Sequence, residues 1–412
     1  MKSLKKLFRF GVGPSSSHTI APSLATASFL RQLHGIPHDK IVATLFGALA
    51  LTGIGHGTAQ AIKKTLQGEN AEVVLDTKTK RPHPLTIGFT AFQNNKIVLE
   101  RSYYSLGGGE ISSPDDLSAN EKDIYPFHDL ADVLDYMNSE ALLDFKSFAQ
   151  SFEESDIDED LDEAISRMFT SIERGLQAKG LVPANGNPKL IWHRVAGEIY
   201  EQTKKIEESD PRREMLLTAY AYAAAESSAS GEEIVTAPTC GSSGVLPAVL
   251  YYEVHQNGKT LEQARDALYA AGLFGNLVKQ NASIAGAIGG CQAEIGTASC
   301  MGAVAFAYLE GLDIERQAFA AECAMEHFLG LSCDPVDGYV IIPCIERNGM
   351  GALRSYDAYL YARYIYPVRK NQVSFDEVVS AMKMTGDALA SAYKETAKGG
   401  LAAILKEKRR SS

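Results

Sequence analysis

The sequence predicts an α+β protein in two parts: a small N-terminal domain of α/β type and a larger, all-helical C-terminal domain. Three observations carry this. Strand and helix signals alternate through roughly the first 110 residues. Polar and acidic segments then interrupt the chain. From about residue 165 onward, helix-period apolar residues recur with few β-branched runs. The two domains are placed at residues 1–150 and 165–412, since 412 residues exceed what one ordinary core accommodates.

In the first part, residues 19–33 are rich in Ala and Leu and read as a helix. Residues 41–51 are continuously apolar and fit a strand or a buried helix equally. Residues 58–66 look helical, and 72–76 and 96–105 read as strands. Gly107, Gly108 and Gly109 stop the last of these. Residues 113–140 are polar and turn-rich. Residues 153–163 are dominated by Asp and Glu. Asp156, Asp158 and Asp160 have calcium-loop spacing, but Leu161 stands where that loop needs Gly and Arg167 where it needs a bidentate Glu. A charged linker or an exposed first helical turn is expected there. Residues 216–230, 261–282, 302–310, 316–328, 353–365 and 375–393 then carry the helical pattern, punctuated by Gly and Pro.

Apolar residues make up 45% of the chain and charged residues 22%, so a large core can be buried. The net charge of −11 repels nucleic-acid phosphates, and no nucleic-acid partner is expected. The longest apolar stretch, 41–54, contains two Gly and two Thr and falls short of the ~20 residues a spanning helix needs. Lys2, Lys5 and Lys6 are not followed by an apolar h-region, so neither a signal peptide nor a membrane segment is expected and the location is read as cytoplasmic. Without a secretory signal, disulfides are not expected. The six cysteines all follow residue 239, which fits either a cysteine-rich helical core or a thiolate metal site.

Four constellations carry chemistry. Gly11, Gly13, Pro14, Ser15, Ser16, Ser17, His18 and Thr19 precede a helix, where hydroxyls and backbone N–H groups suit a carboxylate or phosphate; a plain N-cap with a satisfied histidine has the same appearance. His56 stands between Gly55 and Gly57 before another helix, accessible enough for a general base. A Gly- and Ser-rich loop, residues 237–248, resembles a phosphate cradle and, with Lys279, frames a pyridoxal-phosphate alternative. Last, Cys291, Cys333 and Cys344 each sit beside Gly or Pro at a loop or helix edge, where N–H groups can stabilise thiolate and sulfide.

Taken together these blocks resemble the bacterial iron–sulfur L-serine dehydratases (L-serine ammonia-lyases) in their single-chain form, with a β domain followed by an α domain. Gly13 to Thr19, Leu51 to Gly53 with His56, and Tyr103 to Gly109 are similar to β-domain signatures. Ala237-Pro238-Thr239, residues 279–286, residues 291–296, Met325-Glu326-His327, Cys333 to Val336, residues 343–348, and Tyr393 to Thr396 with Gly399, Gly400 and Leu401 are similar to α-domain blocks. The likeness runs in order along essentially the whole chain.

The resemblance implies a [4Fe–4S] cluster held by Cys291, Cys333 and Cys344, with one iron left for substrate. It implies His56 as the base with His18 next, a substrate loop of Ser15, Ser16, Ser17 and Thr19, and a homodimer. The implied reaction takes L-serine to pyruvate and ammonia. L-Threonine or L-cysteine as substrate, and a catalytically silent amino-acid-binding homologue, are the alternatives. Two departures stand out. Members of the family end in a cysteine that caps the fourth iron, and residues 402–412 contain none. Cys240 stands where relatives carry Asn; it and Cys300 read as buried structural thiols.

Overall fold

The computed structural model describes residues 1–183 and 190–410. The chain starts in the helical part. Met1, Leu4, Leu7 and Phe8 are buried in the large helical core. The chain leaves that core through β1 (Phe10–Val12), which pairs antiparallel with a short strand at Glu233–Val235, Phe10 opposite Val235 and Val12 opposite Glu233.

The small domain is built on five strands: β2 (Lys40–Phe46), β3 (Ala71–Asp76), β4 (Thr86–Gln93), β5 (Lys96–Gly107) and β6 (Glu110–Ser112). Their order across the sheet is β3-β2-β4-β5-β6. β2 and β3 are parallel and the other pairs antiparallel. A parallel pair needs a crossover, and two short helices, Ala48–Thr52 and Thr58–Thr65, supply it. His56 lies in the turn between them. The β4–β5 hairpin turns on Asn94 and Asn95, whose φ values of 51° and 61° are those of a type I′ turn.

The sheet buries one face in a regular alternation. Ile41, Ala43 and Leu45 on β2 lie opposite Ala91, Phe89 and Ile87 on β4, and all six are fully buried. The helix Ala21–Leu33 covers them with Ala25, Phe29 and Leu33. Phe29 stacks on Phe89 with centroids 5.0 Å apart.

In the larger part, helices surround Thr297–Leu309, which is buried on nearly every side. It packs against Val245–Asn257, Leu261–Asn281, Ile314–Glu326 and Cys344–Tyr364. A helix apolar all round belongs in such a position. The surrounding helices have clear start signals. Thr260 with Gln263 and Ser374 with Glu377 form capping boxes. Asp158, Glu159 and Asp160 occupy the first turn of Ile157–Gln177, where negative charge suits the helix dipole, so the acidic stretch is a helix start. Among the described residues no helix is long and apolar enough to cross a membrane.

Several elements differ from their sequence-based outlines. The apolar segment 41–51 is both strand and helix, divided at Gly47. β4 and the helix Leu130–Ser139 lie where no element was expected. The last long helix stops at Ala388, and Ser391–Tyr393 form a separate 3-10 turn. The strand Glu233–Val235 interrupts the otherwise helical part.

The two parts interlock. Ala285 and Ala287, from the loop after Leu261–Asn281, complete the core of the small domain. Lys279 reaches across to Glu110 on β6 with a 2.5 Å ion pair, both side chains about nine-tenths buried. Burial lowers the Lys279 pKa while Glu110 supports the charge. Removing one partner strands the other charge away from water. Lys279→Ala is expected to cost about 3–5 kcal/mol, and the paired change Lys279→Met with Glu110→Leu distinctly less. Urea unfolding of both variants checks this; a single variant within 1 kcal/mol of the parent, on the order of a surface pair, would rule out a buried latch.

Candidate active site

The junction between the two parts gathers a set of ionisable side chains. His18 and His56 both come from the small domain. His18 lies in the π-helical turn Ser16–Ile20 that leads into Ala21–Leu33. His56 is brought to the boundary by a close approach of backbones: a Cβ on Gly55 would stand 2.3 Å from the carbonyl oxygen of Gly338 in the helical part. Only glycine allows that contact. The two imidazoles are fully buried and stacked, with centroids 4.1 Å apart.

Their hydrogen bonds set their tautomers. The Thr52 hydroxyl donates to the carbonyl of Ala48, so its oxygen accepts from Nε2–H of His18 at 2.9 Å. Ser15 Oγ lies 3.1 Å from His18 Nδ1 and donates to it. Both nitrogens of His18 are thus engaged. Burial first, and then the neighbouring His56, push its pKa down to about 3, with Glu395 opposing. His56 is placed differently. Its Nδ1–H donates to the carbonyl of Thr52 at 3.0 Å, which leaves the lone pair on Nε2. Nε2 is buried and makes no aligned hydrogen bond.

The third member is Glu395, from the segment after the last long helix. Its Oε1 lies 3.3 Å from His56 Nε2 and 3.7 Å from His18 Nδ1. These three side chains together could hold a metal ion. Burial works against the Glu395 carboxylate, whereas positive charge on a facing imidazole, together with the N–H of Ala287, lowers its pKa. Glu294, in the turn Gln292–Gly296, goes the other way. Burial followed by the Glu395 charge pushes it up to about 8, although Thr239 Oγ1 donates to it at 2.8 Å. Two neighbouring buried carboxyls are therefore driven apart in acidity.

The cysteines lie behind these acids. Cys291 and Cys333 share one apolar cluster with Val245, Ile295 and Ala298. Cys344 opens the helix Cys344–Tyr364. The Arg347 guanidinium feels both Cys291 and Cys344, and it donates to the carbonyl of Ser332 at 2.7 Å. Burial pushes the Cys291 thiol up to about 11 against the pull of Arg347. Burial pushes Cys333 and Cys344 well above the ordinary range, and each is raised further by charge on its neighbouring cysteines and on Glu294 and Glu395. The six cysteines are all free thiols.

This donor set fits a thiolate-liganded cationic centre. For all three to ionise in this dry pocket, positive charge would be needed among them, which a metal centre would supply. Gly286 lines the space: a Cβ there would lie 2.9 Å from Glu294 Oε2 and 3.0 Å from Cys333 Sγ.

One backbone contact links cysteines to histidines. The N–H of Cys333 donates to the carbonyl of Tyr393, and the N–H of Glu395 donates to the carbonyl of Cys333, both at 2.8 Å. The Cys333 backbone therefore pairs with the segment Tyr393–Glu395, whose carboxylate faces His56. On the solvent side, His56 forms part of the wall of a cleft of about 620 Å³, with Thr19, Ile20, Gln60, Lys64 and Tyr339.

The remaining sequence candidates take these positions. Ser15, Ser16, Ser17 and Thr19 are all buried. Ser15 serves His18, and the Thr19 hydroxyl contacts the carbonyls of Val12 and Ser15 at 2.6 and 2.7 Å. The loop 237–248 spends polar groups on protein partners. Ser243 Oγ donates to the carbonyl of Cys240, and Gly244 N–H donates to Asn348 Oδ1. With Lys279 paired to Glu110, the pyridoxal-phosphate alternative lacks both its cradle and its free amine. Cys240 packs with Ile20 and Ile234, and Cys300 lies in the main core. Glu395, Glu294 and Arg347 stand inside recognisable sequence blocks, but nothing local assigns them a role.

The shift on His18 has a consequence for stability. Folded His18 refuses a proton that the unfolded chain accepts near pH 6.5. Its contribution is therefore intact above that pH and is lost as pH falls toward about 3, at up to about 1.4 kcal/mol per pH unit. His18→Gln is expected to flatten the pH dependence between pH 6 and 4. Denaturant midpoints measured across this range decide it; parallel curves for variant and parent would contradict a neutral buried His18.

Comparison with known proteins identifies the family. The family model described as serine dehydratase beta chain matches residues 3–81, and the one described as serine dehydratase alpha chain matches residues 43–402. The L-serine dehydratase of Helicobacter pylori is 34% identical over 98% of this chain and 99% of its own length. The L-serine dehydratase of Streptomyces coelicolor is 35% identical over 97% and 98%. L-serine dehydratase 1 of Escherichia coli is 32% identical over 98% and 99%. With both matches lying along one continuous polypeptide, this chain belongs to the serine dehydratase family and joins its beta-chain and alpha-chain regions.

Proposed function

We propose that this chain is an L-serine dehydratase that converts L-serine to pyruvate and ammonia, with a [4Fe–4S] cluster held by Cys291, Cys333 and Cys344 and with His56 as the base. The observation that carries the reading is the Nε2 of His56, free of an aligned hydrogen bond, which lies beside the carboxylate of Glu395, itself tied through its backbone N–H to the carbonyl of Cys333. The names of the relatives favour serine over threonine or cysteine. The free thiols suit a reducing, cytoplasmic setting.

Dehydration must remove a weakly acidic α-proton and expel hydroxide, a poor leaving group. When bound, the cluster supplies Lewis-acid polarisation of the substrate hydroxyl. The chain does the rest. His56 Nε2 accepts the α-proton, because Nδ1–H is fixed on the carbonyl of Thr52 and Nε2 is left open. His18 makes a poorer base, since Ser15 and Thr52 occupy both of its nitrogens. It stacks on His56 and holds that ring in place. Arg347 places positive charge beside two of the thiolates. The buried walls exclude bulk water and strengthen each of these interactions. The released aminoacrylate tautomerises to an imine and hydrolyses to pyruvate and ammonia in solution.

Protein prepared anaerobically is expected to carry iron and sulfide and to release pyruvate from L-serine faster than from L-threonine or L-cysteine. Iron and sulfide analysis with a three-substrate activity panel tests this, and a loaded protein inert toward all three would favour the silent amino-acid-binding alternative. Cys291→Ala, Cys333→Ala and Cys344→Ala should each lose both the broad visible absorption and activity; a colourless but active variant would refute the ligand set. His56→Ala should keep the absorption and lose about 10²-fold or more in kcat. Parent-like turnover in that variant would place the base elsewhere.

A further inference from the structure

The carboxylate of Glu395 has a placement that packing does not require. Its residue adopts φ +56°, the left-handed region that a side chain with a Cβ disfavours. Such a conformation persists only where the surroundings impose it, and it concentrates at functional sites. Its N–H is held by the carbonyl of Cys333, whose own N–H is held by the carbonyl of Tyr393 two residues earlier. The side chain that results is 5% exposed and points its charge at two buried imidazoles.

The contact with His56 is close without being aligned. Oε1 stands 3.3 Å from Nε2, yet Nε2 has no hydrogen bond of acceptable geometry. A carboxylate at this distance attracts the positive charge that appears on the ring when the proton arrives. In a water-excluded site that attraction is far stronger than in solution. His18 cannot serve in its place, because it is a neutral ring with both nitrogens bonded.

We propose that Glu395 is the positioning residue for His56: its carboxylate, held beside Nε2 by the Cys333 segment, steadies the imidazolium that forms during proton abstraction. The proposal rests on the dehydratase reading for its kinetic consequence, but the contact itself can be read without turnover. It also ties the two halves of the site together. Any displacement of the Cys333 loop moves the counter-charge of the base.

Three variants of the full chain, Glu395→Gln, Glu395→Asp and Glu395→Ala, test it. In the cluster-loaded enzyme, Glu395→Gln is expected to lower kcat about 10²-fold with KM for L-serine within about threefold of the parent. Iron content and visible absorption should be unchanged. Glu395→Asp, which restores the charge one methylene farther away, should recover part of the loss that Glu395→Ala shows. Separately, ring 15N resonances of His56, recorded on holoenzyme and on metal-free chain, should shift in Glu395→Gln while those of His18 move little. Unchanged kcat in Glu395→Gln overturns the proposal. So does an Asp variant no better than Ala, or a kcat loss that tracks loss of iron, which would make Glu395 a prop for the Cys333 loop. If the parent enzyme does not turn over serine, the dehydratase reading fails, and the 15N shift still decides whether Glu395 acts on His56.

Discussion

The arrangement depends on one contact between the two parts of the chain, the meeting of Glu395 from the helical part with His56 from the small domain. Both residues are removed from water. A contact of this kind is sensitive to displacements of an ångström or less. The surrounding structure is built to prevent them. The pairing of Phe10–Val12 with Glu233–Val235, the ion pair of Lys279 with Glu110, and the insertion of Ala285 and Ala287 into the small core fix the two parts from different directions. The Gly55–Gly338 approach fixes them at the site itself.

Electrostatics explains why so many ionisable groups can share this dry space. His18 is kept neutral, Glu294 is driven toward its protonated form, and Glu395 toward its charged form. Environments that separate the acidities of adjacent groups are what proton-transfer chemistry requires. The cysteines follow the same rule. As bare thiols they are pushed toward protonation by burial and by one another. A cationic centre reverses that preference, so binding metal and ionising the ligands become one event.

Much of this was legible in the sequence, and the reasons for the rest are physical. The histidines and cysteines stood out because they are scarce residue types flanked by Gly or Pro. Glu395, Glu294 and Arg347 act through partners far away along the chain, and a lone Glu or Arg has no local signature. The strand Thr86–Gln93 was hidden by Gly88 and two threonines that weaken its apolar alternation, although Asn94-Asn95 is a hairpin signal. The helix Cys344–Tyr364 starts well before its apolar pattern is visible. Gly349 and Gly351 look like breaks, but they let Tyr222 and Val245 pack closely against that helix. Residues 41–51 were ambiguous because continuous apolarity has no period, and the structure uses the segment for both kinds of element.

The route of residues 1–8 has a wider meaning for how this protein is organised. Because Leu4, Leu7 and Phe8 are buried among the helices before the chain enters the small sheet, the sheet domain is topologically an excursion from the helical body and not a module hung on its front. No single scission point separates the two folded bodies. Taking away the leading segment would strip side chains from the heart of the helical bundle, and a fragment holding the sheet alone would leave Ala285 and Ala287 behind. His56 and the three cysteines thus belong to one inseparable unit, although they sit on what look like successive domains.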